Sequence, residues 1–315
     1  MMPTPPATLF LAGPTAVGKS AVALCLAERL GGEIISVDSM QVYRGLDIGT
    51  AKPSAADRAR VPHHLLDVAE LTEPFDASRF VALATDAVSA IHARGKWAIF
   101  CGGTGLYFRA WIEGLGHAPT DPQLRAALEA MPLPELLEEL AAKDPVTFER
   151  IDRQNPRRVW RAIEVIRLTG QPFSAQRATW TKSAAEAQRL RFYGLQRTTE
   201  ELHTRIHARV EDMFALGLVA ETQALMQRGI EQNRNAMQAI GYRQVVEYLR
   251  GERDLKATIE LVKARTRQYA RRQMTWFRRQ APVQWIEWQP GQSAEMIAAT
   301  ILVAADSNEL ECDLE

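Results

Sequence analysis

The chain has 315 residues, enough for one large domain or for two, and 46% of them are hydrophobic, which suffices for a buried core. Its three cysteines are widely spaced, which excludes a disulfide framework or a cysteine metal cluster and favours a reducing compartment. The Pro-rich start lacks the features of a signal peptide, and no apolar stretch reaches the roughly 18 to 20 residues of a membrane helix. We therefore expect a cytoplasmic protein without a membrane segment.

The net charge is zero, but the charges are segregated along the chain. No acidic residue occurs between Leu261 and Ile286, whereas residues 306–315 are acidic. The basic residues of the acid-free segment are Lys263, Arg265, Arg267, Arg271, Arg272, Arg278 and Arg279. This segregation predicts a local basic surface for a polyanion.

The first hundred residues alternate apolar runs with helical patterns. Residues 8–12, 33–37 and 97–101 predict strands, and residues 18–30 and 80–94 predict helices. Strands separated by helices indicate parallel β-α-β units. Because ligands collect at the carboxyl ends of such strands, we expect the loops after the three strands to face one cleft.

The pattern changes near Pro119. Residues 121–183 read as helices separated by prolines, residues 191–195 as a further strand, and long helices follow to about Arg279. We predict an α/β fold with a P-loop NTPase-like parallel sheet core, residues 1–118 and 190–315, and an α-helical insertion domain, residues 119–189.

A phosphate-binding motif, GPTAVGKS, follows the first predicted strand and begins a helix. Its spacing lets backbone N–H groups surround a phosphate at the positive end of that helix. Lys19 supplies a point charge, and Ser20 supplies a hydroxyl for Mg²⁺. A chance glycine-rich turn is the alternative. The predicted diphosphate-binding residues are Gly13, Pro14, Thr15, Ala16, Val17, Gly18, Lys19 and Ser20.

Two further strand ends carry candidate catalytic groups. Asp38 follows the second strand, where a carboxylate can accept a proton, bind a metal or only cap a loop. An ordinary P-loop NTPase has an acidic residue after the third strand. Here residues 102–105 are Gly-Gly-Thr-Gly and the next acid is Glu113, so either the acid lies elsewhere or nucleotide hydrolysis is not the reaction. Thr104 is then a hydroxyl directed into the cleft, unless the segment is only a tight turn.

Two arginine-bearing helices are predicted farther along the chain. In the helix after Asn155, Arg157, Arg158 and Arg161 share one face, which predicts contact with a phosphate backbone, or else solvation or pairing with acids such as Glu164. Arg205 and Arg209 lie four residues apart on a later helix. Either of them is a candidate for binding a transferring phosphate or is an ordinary surface charge.

Eight segments carry a resemblance to a known family. They are residues 13–20, 38–53 (DSMQVYRGLDIGTAKP), 61–67, 102–108, 155–170 (NPRRVWRAIEVIRLTG), 202–210, 239–244 and 265–278. Along nearly its whole length the chain resembles the bacterial tRNA dimethylallyltransferases, also called tRNA isopentenyltransferases. The resemblance implies dimethylallyl diphosphate as donor, Mg²⁺ as cofactor, and as acceptor N6 of the adenine next 3′ to the anticodon in a tRNA anticodon stem-loop. We expect a monomer.

The resemblance also implies roles for individual residues. Asp38 would be the general base, Thr104 would lie beside it, and Arg209 would bind the diphosphate. The implied tRNA-binding residues are Asp38, Ser39, Met40, Gln41, Arg157, Arg158, Val159, Trp160, Arg161, Gln238, Ala239, Ile240, Gly241, Tyr242 and Arg243. Trp160 and Tyr269 depart from the family pattern, in which a polar residue and a leucine are more usual.

Three rival functions remain open from the sequence. A nucleotide kinase-like phosphotransferase would use ATP on the same loop, but the missing acid after the third strand argues against it. A non-catalytic RNA-binding module would use a nucleotide as a switch. A prenyltransferase for free adenine nucleotides would share the chemistry, but the arginine-rich insertion helix favours a macromolecular acceptor.

Overall fold

The computed structural model describes residues 7–114, 119–176 and 190–312. The chain divides into two compact units, one formed by Met1–Ile112 with Ala184–Glu315 and the other by Glu113–Ser183. Within the described ranges, no helix is both long and apolar enough to cross a membrane.

A six-stranded parallel sheet forms the centre of the first unit, with strand order β3-β2-β4-β1-β5-β6. The strands are β1 (Thr8–Ala12), β2 (Glu33–Val37), β3 (His63–His64), β4 (Ala98–Gly102), β5 (Phe192–Gln196) and β6 (Gln284–Glu287). The central strand β1 pairs with β4 on one side and with β5 on the other. The predicted α/β class with a parallel sheet is confirmed.

The helices are numbered in chain order through both units. They are α1 (Lys19–Leu30), α2 (Ala55–Arg60), α3 (Ala77–Ala93), α4 (Gly105–Glu113), α5 (Pro122–Ala130), α6 (Leu133–Lys143), α7 (Pro145–Arg150), α8 (Pro156–Thr169), α9 (Phe173–Gln176), α10 (Thr199–Ala215), α11 (Leu218–Gln227), α12 (Tyr242–Leu249), α13 (Leu255–Gln280) and α14 (Ala294–Cys312). Two 3₁₀ turns, Ile230–Gln232 and Ala236–Gln238, lie between α11 and α12.

At strands β1, β2, β4 and β5 the sheet is buried on both faces, which explains why these strands are largely apolar rather than alternating. In β1, Phe10 and Ala12 belong to one hydrophobic cluster, whereas Leu9 and Leu11 belong to another. This alternation is the two-residue period of a strand, and all four side chains are nearly inaccessible to solvent. The sheet is therefore a rigid support for the loops that follow its strands.

The second unit has a small core of its own around α8. The apolar face of this helix, Val159, Ala162, Ile163 and Ile166, packs with leucines of α5 and α6. Helices form this unit as predicted up to Gln176. Residues 177–183, which were also predicted to be helical, lie outside the described residues.

The observed strands differ from the predicted ones in their bounds and in their number. The strand predicted at residues 97–101 begins one residue later in the structure, and so does the strand predicted at residues 191–195. Strands β3 and β6 were not predicted. The former has only two residues and the latter is only partly buried, so neither produces the apolar run by which a buried strand is identified.

Candidate active site

The ends of β1, β2 and β4 open into one cavity of about 360 Å³. Its wall includes Lys19 and Ser20 of the P-loop (residues 13–20), Asp38 after β2, and Gly103 after β4. Helices α10 and α13 supply further lining residues, among them Arg209. The three loops that follow the predicted strands thus meet at one cleft, as their position at the carboxyl ends requires.

The side chain of Lys19 folds back onto the start of the P-loop. Its Nζ donates hydrogen bonds to the carbonyl oxygens of Gly13 and Pro14, at 2.9 and 2.8 Å. The pKa of Lys19 is lowered to about 8, chiefly by burial; the nearby Arg209 guanidinium acts in the same direction, and Cys101 and Asp38 act in the opposite one. An anion placed beside this ammonium would favour its charged form, which is the behaviour of a phosphate-binding lysine.

Two arginines hold the backbone of the P-loop. Arg205 Nε donates to the carbonyl oxygen of Ala16 at 2.8 Å, and Arg197 Nε donates to that of Val17 at 3.0 Å. In a trans peptide the carbonyl and the following N–H point in opposite directions. The N–H groups of Val17 and Gly18 therefore point away from the two guanidinium groups, and that of Val17 donates to the carbonyl oxygen of Pro14 at 3.4 Å. An incoming anion would have to compete for this N–H, whereas that of Gly18 has the direction of a donor in an anion-binding loop. The side chain of Val17 is fully buried, so only its backbone can take part.

The structure distinguishes the two arginines that the sequence left as equal candidates. Arg205 is engaged with the P-loop carbonyl, whereas Arg209 lines the cavity and contacts the carbonyl oxygen of Thr50 at 3.5 Å. Burial lowers the pKa of Arg209, and the Asp38 carboxylate counteracts this effect. Because an arginine remains charged even after such a shift, Arg209 presents a poorly solvated positive charge to the cavity. Its binding of diphosphate stays a prediction.

Asp38 both holds a turn and faces the cavity. Its Oδ1 accepts hydrogen bonds from the backbone N–H groups of Met40 and Gln41, at 2.8 and 3.3 Å. Thr104 Oγ1 accepts a hydrogen bond from the N–H of Ser39 at 3.1 Å. Thr104 thus fixes the turn that carries Asp38 and is not among the residues that line the cavity in the described part of the chain. Its Oγ1 is directed at the turn that carries Asp38, and the role predicted for its hydroxyl in the cleft stays a prediction.

Gln41 was predicted to contact tRNA, but its amide is occupied within the protein. Its Oε1 accepts from the Ser36 hydroxyl at 2.8 Å, and its Nε2 donates to the carbonyl oxygen of Thr50 at 3.1 Å. This side chain connects the Asp38 turn to the loop that contacts Arg209. Gln41 and Met40 both line the cavity, and Met40 is half-buried.

Among residues 238–243, some line the cavity and others are engaged within the protein. Gln238, Ala239 and Ile240 line the cavity. Tyr242 is fully buried, and its hydroxyl donates to Glu221 at 2.6 Å and accepts from the N–H of Gly49 at 3.0 Å. The side chain of Tyr242 is therefore structural, and Gly241 before it is buried as well. Arg243 is exposed and is paired with Glu247 at 3.0 Å.

In the second unit, only part of the predicted arginine face is free. Arg157 and Arg158 are exposed, but the Arg161 guanidinium donates to Glu164 at 2.6 Å and to the carbonyl oxygen of Pro119 at 2.8 Å. Burial by itself raises the pKa of Glu164, and the hydrogen bonds from Arg125 and Arg161 outweigh it, so that the pKa lies below its usual range. The alternative of pairing with Glu164 is thus realised for Arg161.

The two residues between these arginines face the core of their unit. Val159 is fully buried and Trp160 packs against the same cluster, so a contact of Val159 with tRNA would have to use its backbone. The interaction of this segment with tRNA stays a prediction.

The long helix α13 contributes cavity residues that motif analysis missed, namely Val262, Thr266, Tyr269, Arg272 and Gln273. Its closeness explains the Gly-Gly-Thr-Gly segment. A Cβ atom at Gly103 would lie 2.1 Å from Gln273 Nε2, and one at Gly105 would lie 2.1 Å from the Trp276 ring. These glycines admit α13 side chains to the strand ends, so the segment is more than a tight turn.

Helix α13 carries much of the acid-free segment, but not every cation in it is free. Lys263 is nearly buried and forms ion pairs with Glu211 and, at 2.8 Å, with Glu260. Arg271 and Arg279 are exposed. The acid-free sequence thus overstates the basic surface, because acids from other segments neutralise part of it.

The thiol, the possible metal ligands and the hydroxyl near the cavity limit the reactions that it can support. Burial raises the pKa of the Cys101 thiol to about 11, so this cavity residue is neutral and not a thiolate nucleophile near neutral pH. Within the part of the chain that the structure describes, no group of three or more His, Cys, Asp or Glu side chains could hold a metal ion. Ser20, exposed at the cavity, offers a hydroxyl oxygen of the kind that Mg²⁺ binds together with substrate phosphates.

Comparisons with known proteins give one family for this sequence. The IPP transferase family profile matches residues 41–280. The chain is 46% identical to tRNA dimethylallyltransferase 1 of Citrifermentans bemidjiense, with 93% of this chain and 95% of that protein covered. It is 47% identical to tRNA dimethylallyltransferase 1 of Trichlorobacter lovleyi, with 93% and 97% covered.

Solved structures give the same result for the fold. The full-length tRNA isopentenylpyrophosphate transferase of Bacillus halodurans aligns with a TM-score of 0.72 and 38% identity over 98% of each chain. A eukaryotic dimethylallyltransferase acting on tRNA aligns with a TM-score of 0.80 and 26% identity, covering 98% of this chain and 80% of the other. On the strength of the profile match and of relatives this similar over most of their length, the chain belongs to the IPP transferase family.

Proposed function

We propose that the protein transfers a dimethylallyl group from dimethylallyl diphosphate to N6 of the adenine next 3′ to the anticodon of a tRNA. The relatives described above are named for dimethylallyl transfer, and one of them was captured acting on tRNA. The observation that carries the proposal is the single cavity in which an anion-binding P-loop, the Arg209 charge and the Asp38 carboxylate meet. A donor diphosphate and an amine acceptor need these groups.

The residues divide the reaction between them. The N6 amine attacks C1 of the dimethylallyl group, the C1–O bond breaks, and its electron pair leaves with the diphosphate. Lys19, Arg209 and the P-loop N–H groups stabilise the charge that grows on the departing diphosphate. Asp38 Oδ1 is held by two backbone N–H groups, so Oδ2 is the oxygen that takes the N6 proton.

Mg²⁺ fits the site as a partner of the diphosphate, with Ser20 as its protein ligand. When bound, it neutralises charge on the leaving group. The carboxyl end of β4, where an NTPase would carry an acid, carries Gly103 with Gln273 beside it. A prenyl transfer needs no attacking water, so the lack of such an acid after β4 agrees with this reaction.

The acceptor must reach the cavity with its adenine out of the stack, as enzymes that modify bases require. We propose that Ser39, Met40 and residues 238–240 surround the extruded base, because the cavity lining includes all of them. Arg157 and Arg158 would bind tRNA phosphates. Since tRNA is a cytoplasmic substrate, we place the activity there.

The experiment that tests the proposal is mass spectrometry of nucleosides from tRNA incubated with the protein, dimethylallyl diphosphate and Mg²⁺. We expect N6-dimethylallyladenosine at the position after the anticodon, and none when that adenine is replaced by guanine. Free adenine nucleotides supplied as acceptors test the rival acceptor class. A prenylated free nucleotide without prenylated tRNA would contradict the proposal, and so would phosphate transfer from labelled ATP with no prenyl product.

A further inference from the structure

Gln273 of α13 is a buried side chain whose amide is used at both ends. Its Oε1 accepts a hydrogen bond from the N–H of Thr15 at 2.8 Å, and its Nε2 donates to the carbonyl oxygen of Gly103 at 2.9 Å. The residue is only 6% exposed. A buried amide bonded on both sides resists rotation, because turning it over would place like groups opposite each other.

The two hydrogen-bond partners of Gln273 belong to two different loops, the P-loop after β1 and the loop after β4. Thr15 lies in the P-loop after β1, and Gly103 lies directly after β4. These strands are neighbours in the sheet, with Ala12 opposite Gly102. The amide therefore bridges adjacent strand ends. The absence of a Cβ at Gly103 leaves room for it, since that atom would lie 2.1 Å from Gln273 Nε2.

The bridge continues to the carboxylate that takes the proton. Thr104, directly after Gly103, accepts a hydrogen bond through Oγ1 from the N–H of Ser39 at 3.1 Å. Asp38 Oδ1 then accepts from the N–H of Met40 at 2.8 Å. Hydrogen bonds and the peptide links between their residues thus connect the P-loop through Gln273 to the Asp38 turn.

We propose that Gln273 is a positioning residue that sets the distance between the donor on the P-loop and the Asp38 turn. The inference rests on the proposed function, because it concerns the alignment of C1 of the donor with the amine whose proton Asp38 accepts. Reacting atoms must approach to about 3 to 3.5 Å, and a misplacement of about 1 Å can cost on the order of a hundredfold in rate. Gln273 acts through Thr15 and Gly103 and touches neither reacting atom.

Two variants of Gln273 test this role. Gln273→Leu keeps the approximate size and loses both hydrogen bonds. We expect kcat to fall by about 10- to 100-fold. The Kd values for dimethylallyl diphosphate and for tRNA should stay within about threefold, because the Thr15 N–H donates to Gln273 and the other groups of the P-loop are left in place. Equal losses in kcat and in both affinities would overturn the inference, since they would indicate a damaged fold.

Gln273→Glu supplies a readout that a purely structural role would not change. A protonated carboxyl group can accept from Thr15 and donate to Gly103, as the amide does, whereas a carboxylate cannot donate. Burial raises the pKa of such a carboxyl group. We therefore expect the kcat of Gln273→Glu, divided by that of the wild type at the same pH, to rise as the pH falls. The same ratio for Gln273→Leu should be flat, and a flat ratio for both variants would contradict the inference.

A matched control lies on the same helix. Thr258 is fully buried, and its hydroxyl donates to the carbonyl oxygen of Asp254 at 2.8 Å. Thr258→Val removes a buried hydrogen bond of α13 away from the bridge, so we expect a lower Tm with unchanged kcat. If the wild type forms no prenylated tRNA, the proposed function fails. If it forms product and Gln273→Leu keeps its kcat, only the positioning role fails.

Discussion

The arginines around the P-loop and those in the first turns of helix α8 differ in what they bind. Arg197 and Arg205 bind backbone carbonyl oxygens of the P-loop, while Arg209 presents its charge to the cavity. In α8, Arg157 and Arg158 are exposed, and Arg161 is the one paired with a buried acid.

The comparison shows that a cluster of arginines in sequence does not indicate where each charge is needed. The difference lies in what surrounds them. The P-loop leaves carbonyl oxygens that require donors once its N–H groups are directed at an anion. Helix α8 has no such requirement at Arg157 and Arg158, which leaves these side chains free for an external polyanion. The predictions below test which charges serve the protein and which serve its substrates.

The largest effect is expected for Asp38, the proposed general base. Asp38→Asn keeps an oxygen that accepts from Met40 and Gln41 and removes the proton acceptor. We expect the single-turnover rate to fall by about 10² to 10⁴, as for loss of a general base, with donor and tRNA affinities unchanged. Rapid-quench measurement of prenylated tRNA checks this. A rate near that of the wild type would show that Asp38 is not the base.

Alanine variants of Arg209 and Arg205 should separate stabilisation of the leaving group from support of the P-loop backbone. Arg209→Ala removes the charge that faces the leaving group, so we expect a loss of about 10² to 10³ in kcat. Arg205→Ala removes a partner of the Ala16 carbonyl and should give a smaller loss, mainly in donor affinity. Steady-state kinetics for both variants, with dimethylallyl diphosphate varied, provide the comparison. The reverse order of losses would make Arg205 the leaving-group residue.

The lowered pKa of Lys19 predicts that donor binding depends on pH. Burial lowers its pKa to about 8, so the free protein loses this positive charge as the pH rises through 8. Binding of the anion requires the charged form. Affinity for dimethylallyl diphosphate should therefore be constant below pH 8 and decline by about tenfold per pH unit above it.

The matched control for this prediction is Lys19→Arg, whose charge does not titrate in that range. Calorimetric titrations from pH 7 to 9.5 for both proteins isolate the contribution of Lys19 from that of the donor's own phosphate. A decline of equal slope in both proteins would assign the pH dependence to the donor.

The smallest effects should distinguish Arg157 from Arg161. Arg157→Ala should reduce the salt dependence of tRNA binding by about 0.7 to 0.9 in log–log slope, the value for one phosphate contact, and leave stability unchanged. Arg161→Ala removes a partner of buried Glu164 and should lower the free energy of unfolding by about 1 to 3 kcal/mol. Filter binding at several salt concentrations and urea denaturation measure the two quantities. An unchanged slope for Arg157→Ala would mean that this arginine is only solvated.

Much of the core could be predicted from the sequence, because its signals are local. The apolar runs that became β1 and β2 have the predicted bounds, and the P-loop lies between a strand and a helix, as its motif requires. The convergence of the loops after β1, β2 and β4 followed from the parallel sheet alone. The resemblance in eight segments indicated the family from the sequence alone.

Only the tertiary structure decided which side chains are free to act. Gln273 is 258 positions from Thr15 in the chain, and no rule of sequence spacing connects them, yet they share a hydrogen bond. Tyr242 and Val159 lie in segments predicted to contact tRNA, but both are fully buried. Whether a polar or charged group faces a substrate depends on which distant segment packs against it. The sequence by itself therefore determined the family, four strands of the sheet and the position of the P-loop, while packing decided the partners of each charge.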